Sequence, residues 1–198
     1  MSQLNILLTS NGLSNLSAQE IVKKFVEISE NKTAVIITTA ARDKENNKWV
    51  IVTKEQFLEL GYERVDFLDL EIYQKIDLSP YATVYVAGGN TFKLLKFVQE
   101  SNFKEEVIKL LNNNGLYIGA SAGAIILTPT IRIAGEITPD ENLVNIENLE
   151  GINLVNFELL PHYEPELLAE VEKYRKKTSN EVKLISNEEV LYLKYEEQ

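Results

Sequence analysis

The sequence predicts an α/β protein built on an open, mostly parallel sheet, and three observations carry that expectation. Short β-branched runs alternate with amphipathic segments along the whole chain, the pattern of strands joined by crossover helices. Thr33 to Thr39 (TAVIITT) is apolar and uninterrupted, as a strand covered on both faces must be. Two further strand candidates end in glycine-rich turns that open onto helical patterns, which points to a site at the carboxyl ends of the strands. With 198 residues, 44% of them apolar, the chain is long enough for one domain spanning 1–198 with a real core.

Taken in order, Leu4 to Leu8 reads as a buried first strand. Ser17-Ala-Gln-Glu20 reads as a capping box, opening a helix with Ile21, Val22, Phe25, Val26 and Ile28 on its apolar face. After the TAVIITT strand, a polar loop over 40–47 leads to helical spacing from Lys48 to Leu60, closed by Gly61, with Trp49 expected to pack inside. Val65 to Leu70 and Thr83 to Ala87 are the next strands. The second runs into Gly88-Gly89-Asn90-Thr91, where the glycines expose backbone N–H groups and Asn-Thr supplies a helix N-cap. A helix from about Phe103 to Asn112 precedes the strand that begins after Gly115. Beyond Pro129, Ile131 to Asn148 reads as a polar, acidic excursion. Leu154 to Leu160 is a strand ending at Pro161-His162-Tyr163, Glu166 to Lys177 a helix, and Val182–Ile185 with Val190–Tyr195 a closing strand pair.

The stretch from Gly115 to Thr130, GLYIGASAGAIILTPT, passes from a short strand through Gly-Ala-Ser-Ala-Gly into a helix start, the pattern of a nucleophile elbow. A serine hydroxyl is a poor nucleophile until the backbone lifts it toward a base, and the tight turn that does so tolerates only small neighbours. Gly119, Ala120, Ala122 and Gly123 meet that need around Ser121. A plain small-residue packing turn would share the pattern, so the rest of the constellation matters. His162 is the only histidine, and histidine is the one side chain that ordinarily titrates near neutrality. A carboxylate orienting the imidazole is expected among Glu136, Asp140, Glu141, Glu158 and Glu164, and spacing does not choose between them.

Charge and composition set further bounds. A net charge of −10 disfavours nucleic acid and anionic membranes as partners. The absence of cysteine excludes disulfides, zinc–cysteine sites and thiol catalysis, and the reading assigns neither cofactor nor metal. No apolar run approaches the ~20 residues that span a bilayer, and the N-terminal segment lacks the basic and apolar regions of a signal peptide, so a cytoplasmic location is expected. Oligomeric state is left open.

Over Val84–Glu136 the blocks VYVAGGNTFKLLK, GLYIGASAGA and PTIRIAGE, resumed by LLPHY, resemble the peptidase E (aspartyl dipeptidase) family of serine peptidases. The resemblance implies a flavodoxin-like three-layer sandwich, the fold shared with cyanophycinase and class I glutamine amidotransferases. It implies Ser121 as nucleophile, His162 as base and Glu136 as the acidic member, with N–H groups of Gly88 or Gly89 and Ala122 as oxyanion hole. Asn90, Arg132, Glu164 and Arg175 are the expected substrate-binding residues. Two departures stand out. Glutamate replaces the family's aspartate at 136, and the arginine that would hold a substrate aspartate has no clear counterpart.

The function expected is hydrolysis of short peptides near the N-terminus, as dipeptidase or aminopeptidase, through a Ser-His-Glu triad and an acyl-enzyme. Glu164 and Glu166 would attract the substrate's α-amino group, with no absolute demand for N-terminal aspartate. The alternatives are a cyanophycinase-like amide or isopeptide hydrolase and a catalytically silent binding domain. A glutamine amidotransferase would need a cysteine nucleophile, which the chain lacks.

Overall fold

The computed structural model describes residues 3–196, so Met1, Ser2, Glu197 and Gln198, the ends of the expected domain, lie outside the described residues. Five parallel strands and one antiparallel edge strand form the central sheet: β1 (Gln3–Thr9), β2 (Thr33–Ile37), β3 (Arg64–Leu68), β4 (Thr83–Val86), β5 (Leu116–Ala120) and, at the chain's end, β8 (Val190–Glu196). Their order is β3-β2-β4-β5-β1-β8, with β8 antiparallel to β1. This is the mostly parallel α/β sheet that the alternating pattern predicts.

Strand side chains point alternately to the two faces, and each face builds its own core. Ile6, Leu8, Val35, Ile37, Val84, Val86 and Tyr117 point to one side. There α3 (Thr91–Gln99) and α4 (Phe103–Asn112) cover them with residues such as Leu94, Leu95, Phe103 and Val107. Leu7, Ala34, Ile36, Tyr85 and Ile118 point to the other, under α1 (Leu16–Ile28) and α2 (Lys48–Glu59). Burial on both faces is why the central strands are continuous apolar runs rather than alternating ones.

Local signals decide the helix boundaries. Helix α1 is capped by Asn15, whose side-chain oxygen accepts the N–H groups of Ser17 and Ala18, and not by the expected Ser17 box. Helix α3 begins as expected at Asn90, which accepts the Lys93 N–H at 2.8 Å. The excursion after Pro129 is less polar than its composition: it contains α6 (Arg132–Glu136), following the one-turn α5 (Ala122–Ile125), and buries Ile131, Ile133 and Ala134 completely.

The end of the chain differs most from expectation. β6 (Phe157–Leu160) and β7 (Glu181–Leu184), joined through α7 (Leu168–Arg175), pair in parallel as a separate two-stranded sheet. β8 leaves them to pair with β1, so the two closing strands are not partners of one another. The edge of β1 offered a full set of backbone groups, and the seven residues of β8 satisfy them from Gln3 to Thr9.

Backbone packs closely against backbone just beyond the end of β5. A Cβ added to Gly123 would meet the Val86 carbonyl oxygen at 2.2 Å. Gly123→Ala therefore forces α5 off β4, and the expected cost of about 2 kcal/mol corresponds to a Tm lower by about 4–8 °C for a chain of this size. Thermal unfolding followed by circular dichroism checks this, and an unchanged Tm would contradict the close approach.

Candidate active site

Every parallel strand of the centre ends at one edge, and the turns leaving those strand ends assemble the site. After β5 the chain turns at Ser121 with φ 50° and ψ −111°, a conformation rarely adopted by a residue with a side chain. The turn is braced on all sides. Ser121 donates its N–H to Thr9 O at 2.9 Å, its own carbonyl accepts from Ala124 and Ile125, and the buried Tyr117 hydroxyl donates to Gly123 O at 2.7 Å. Gly119 and Gly123 are required because a Cβ on Gly119 would lie 2.5 Å from the Gly123 carbonyl.

The imidazole of His162, just beyond β6, stands with Nε2 3.0 Å from Ser121 Oγ. Its other nitrogen, Nδ1, lies 2.6 Å from Oδ1 of Asn187, beyond β7. With an amide oxygen facing it, Nδ1 carries the proton, and Nε2 is left to accept the serine hydroxyl. His162 itself has φ 55°. That backbone is held by Ser10, whose hydroxyl accepts the His162 N–H at 2.9 Å and faces the carbonyls of Ser186 and Ile185 at 2.9 and 3.2 Å. One buried hydroxyl thus clamps the segments carrying the imidazole and the amide. The turn beyond β7 is closed by Glu189, which accepts the Ser186 N–H at 2.8 Å and is held below the ordinary carboxylate range by that bond.

The expected acidic member is not here. Glu136 is engaged with Lys177 and lines a separate polar pocket with Arg132 and Tyr174, sharing no lining residue with the cavity at Ser121. None of the other candidate carboxylates faces a ring nitrogen of His162, whose nitrogens meet Asn187 and Ser121. Asp140 accepts the Thr91 N–H and hydroxyl at the start of α3. Glu141 offers its carbonyl to Asn90. Glu158 is fully buried and accepts from Tyr174, Thr178 and Asn180, and Glu164 is exposed. Sequence reasoning misses Asn187 because it searches for a charge, whereas the position is occupied by a neutral amide. Its one sequence signal is its place just past a strand end, as for His162.

Gly88 abuts Ser121. A Cβ on Gly88 would lie 3.1 Å from the Ser121 Cβ, and Gly89, with φ 143°, packs its Cα against the carbonyl of Ala40. The flanking Ala87 and Asn90 N–H groups bond to Ile37 and Ala40. Ala122, fully buried, starts α5 directly after the serine. A cavity of about 690 Å³ opens in front of Ser121 and His162, walled by Arg42, Trp49, Val52 and Tyr85 among others. Trp49 is not a core residue: it is 62% exposed and borders this cavity. Burial pushes the Tyr85 hydroxyl up to about 12, so it stays a neutral phenol. The four expected substrate-binding residues do not line the cavity. Asn90 caps α3, Arg132 lines the other pocket, Glu164 faces solvent, and Arg175 binds Glu172 and the Val182 carbonyl.

Residues 6–197 match the profile of Peptidase family S51. The chain belongs to that family. An uncharacterized peptidase of Listeria monocytogenes is 31% identical over 207 residues, covering 98% of this chain and 96% of its own. Peptidase E of a Nostoc species is 30% identical over 146 residues, 74% of this chain and 58% of that one. Among solved structures, a candidate peptidase E protein from Listeria monocytogenes EGD-e superposes with a TM-score of 0.73 at 29% identity, covering 98% and 96% of the two chains. A peptidase from an acI-B1 Actinobacterium shares the fold, with a TM-score of 0.69 at 19% identity over 97% and 84%. The S51 assignment makes this chain a peptidase on a known fold. Among the described residues no helix is long and apolar enough to cross a membrane.

In this S51 peptidase the Ser10 clamp is open to test. Ser10→Ala strips the partner from the His162 N–H in a buried setting, an expected cost of about 1–3 kcal/mol. The imidazole should then lose its alignment, with peptidase kcat lowered more than KM is raised. Steady-state kinetics on the variant check this, and a parental kcat would show that the clamp does not govern the base.

Proposed function

We propose that the chain is a serine peptidase that cleaves short peptides through an acyl-enzyme on Ser121, with His162 as general base and Asn187 as the residue that positions it. The observation that carries this reading is the 3.0 Å separation of Ser121 Oγ and His162 Nε2 at a strained elbow facing the cavity. A packing turn has no use for a base held in that tautomer, which disfavours a silent binding domain.

The chemical steps come from those atoms. As Oγ attacks the peptide carbonyl carbon, its proton passes to Nε2 and the carbonyl electrons move onto oxygen. Support for the Gly88, Gly89 and Ala122 N–H groups as oxyanion hole comes from the approach of Gly88 to the Ser121 side chain, from Gly89 lining the same cavity and from the place of Ala122 directly after the serine. Collapse of the tetrahedral species breaks the C–N bond, and Nε2 returns its proton to the departing amine. Water then enters, gives a proton to Nε2, and releases the acid by the same path in reverse. Asn187 keeps the proton on Nδ1 throughout, yet it adds no negative charge to stabilise the imidazolium. The expected preference for a substrate N-terminus rests on Glu164 and Glu166. Neither lines the cavity, so short peptides remain the proposed substrates without that basis for end selection.

Ser121→Ala should lower kcat/KM by about 10³-fold or more, and a fluorophosphonate should label Ser121 in the parent alone. Parental hydrolysis by the alanine variant would overturn the assignment. Asn187→Ala should reduce kcat by about 10-fold or more, whereas Asn187→Asp should keep activity. A carboxylate beside the imidazole favours its protonated form, so the acid limb of the pH–rate profile should move to higher pH in Asn187→Asp. An unmoved limb would show that residue 187 does not face the base.

A further inference from the structure

We infer that Glu71 is a positioning residue for the reaction: by bridging Lys44 and Lys93 it joins the two segments that flank the Gly88-Gly89 turn and sets where the N–H groups of that turn stand. The inference rests on the serine-peptidase reading, in which those N–H groups meet the oxyanion. None of the three charged residues lines the cavity, so the bridge acts without touching substrate.

The connections of the bridge point to this role. The ammonium groups of Lys44 and Lys93 meet the same carboxylate oxygen of Glu71, Oε2, at 2.6 and 2.9 Å. Lys44 belongs to the loop over 40–47 that follows β2, and Lys93 to the first turn of α3, which begins directly after Gly88-Gly89-Asn90. Glu71 itself stands beyond β3, where its N–H donates to the Asp69 carboxylate at 3.1 Å. The segments leaving three neighbouring strands are thus tied at one oxygen. The bonds from Lys44 and then Lys93 hold the Glu71 carboxyl below the ordinary carboxylate range, so the bridge is charged at neutral pH.

The turn needs this outside hold because its direct one is thin. Gly89 lies so close to Ala40 that an added Cβ would stand 1.9 Å from the Ala40 carbonyl oxygen. Yet the hydrogen bond joining turn to loop, from the Asn90 N–H to that oxygen, is 3.2 Å long. The loop is also strained, with Asp43 and Lys44 consecutive non-glycine residues at φ 64° and 52°. The Lys44 side chain closes that stretch, with Asp69 as a second partner at 2.7 Å. Glu71 is 42% exposed, and ion pairs so open to water add little to stability. Their effect here is on geometry, because an oxyanion donor displaced by a fraction of an ångström loses much of its contribution.

A fluorophosphonate tests the bridge with no need of the natural peptide. Ser121 Oγ attacks phosphorus, fluoride leaves, the hydroxyl proton passes to His162 Nε2, and the phosphoryl oxygen takes the place of the oxyanion. In Glu71→Gln the inactivation rate at saturating probe should fall about tenfold, with the half-saturating concentration within about twofold of the parental one. The Lys44–Asp69 pair survives in that variant, so Tm by circular dichroism should move by less than about 2 °C. Lys93→Met should give a similar loss, and the double variant should be no slower than either single one. Added potassium chloride should slow the parent toward the variants and leave the variants unchanged. A parental inactivation rate in Glu71→Gln, losses that multiply in the double variant, or the same salt response in parent and variant would overturn the inference. Failure of the serine reading shows separately, as a parent whose Ser121 the probe does not label, and overturns both.

Discussion

The approach of the α5 backbone to the strands beneath it is the constraint on which the rest of the structure depends. Gly119 sits against the Gly123 carbonyl and Gly123 against that of Val86, distances that admit no side chain at either position. Only that closeness lets the chain reverse within one residue and leave Ser121 projecting from the sheet edge. A residue held at such a φ and ψ costs about 1–3 kcal/mol, which persists only where the surroundings over-determine it. Here they do, through the Thr9 carbonyl, the N–H groups of Ala124 and Ile125 and the Tyr117 hydroxyl. His162 is held in the left-handed region as well, by the Ser10 hydroxyl. The two side chains that meet at 3.0 Å therefore both depart from strained backbone, and both are braced from the carboxyl end of β1, by the Thr9 carbonyl and the Ser10 hydroxyl.

The electrostatics of the site reflect the groups it leaves out. A triad with a carboxylate stabilises the imidazolium directly, whereas the amide of Asn187 fixes the tautomer without supplying charge. In the proposed mechanism the charge that forms on His162 is balanced by the oxyanion that forms with it, and the two arise together in the transition state. Among the described residues no aspartate or glutamate lines the cavity wall.

Much of this is legible in the sequence, for physical reasons that can be named. Strands buried on both faces must be apolar throughout, so TAVIITT and TVYVA declare themselves, and a one-residue reversal admits only small residues, so GASAG does as well. Pairing across long sequence separations leaves weaker traces. Val182–Ile185 and Val190–Tyr195 look like neighbours because only a short link divides them, yet the first pairs with β6 and the second with β1, the first strand of the chain. Glu136 owes its expected role to the resemblance of its surroundings, and nothing in its own residue type reveals that Lys177 claims it. Trp49 occupies an apolar position of a helix, and helical spacing cannot tell a face turned to the core from one turned to a cavity.

The course of the last strands explains why Asn187 lies where it does. β7 runs parallel to β6, so both release the chain at the same end, and His162 follows one as Asn187 follows the other. β8 then runs antiparallel to β1, pairing Val190 with Thr9, the residue that precedes Ser10 at the carboxyl end of β1. The link 185–189 accordingly leaves β7 and enters β8 without crossing the molecule. It must pass over the end of β1, within reach of the Ser10 hydroxyl that meets the carbonyls of Ile185 and Ser186. A parallel β8 would need a crossover, and the segment after β7 would be drawn away from the imidazole. The single antiparallel pairing of the central sheet is thus what delivers the third residue of the site, and sealing the edge of β1 and orienting His162 are two results of the same strand.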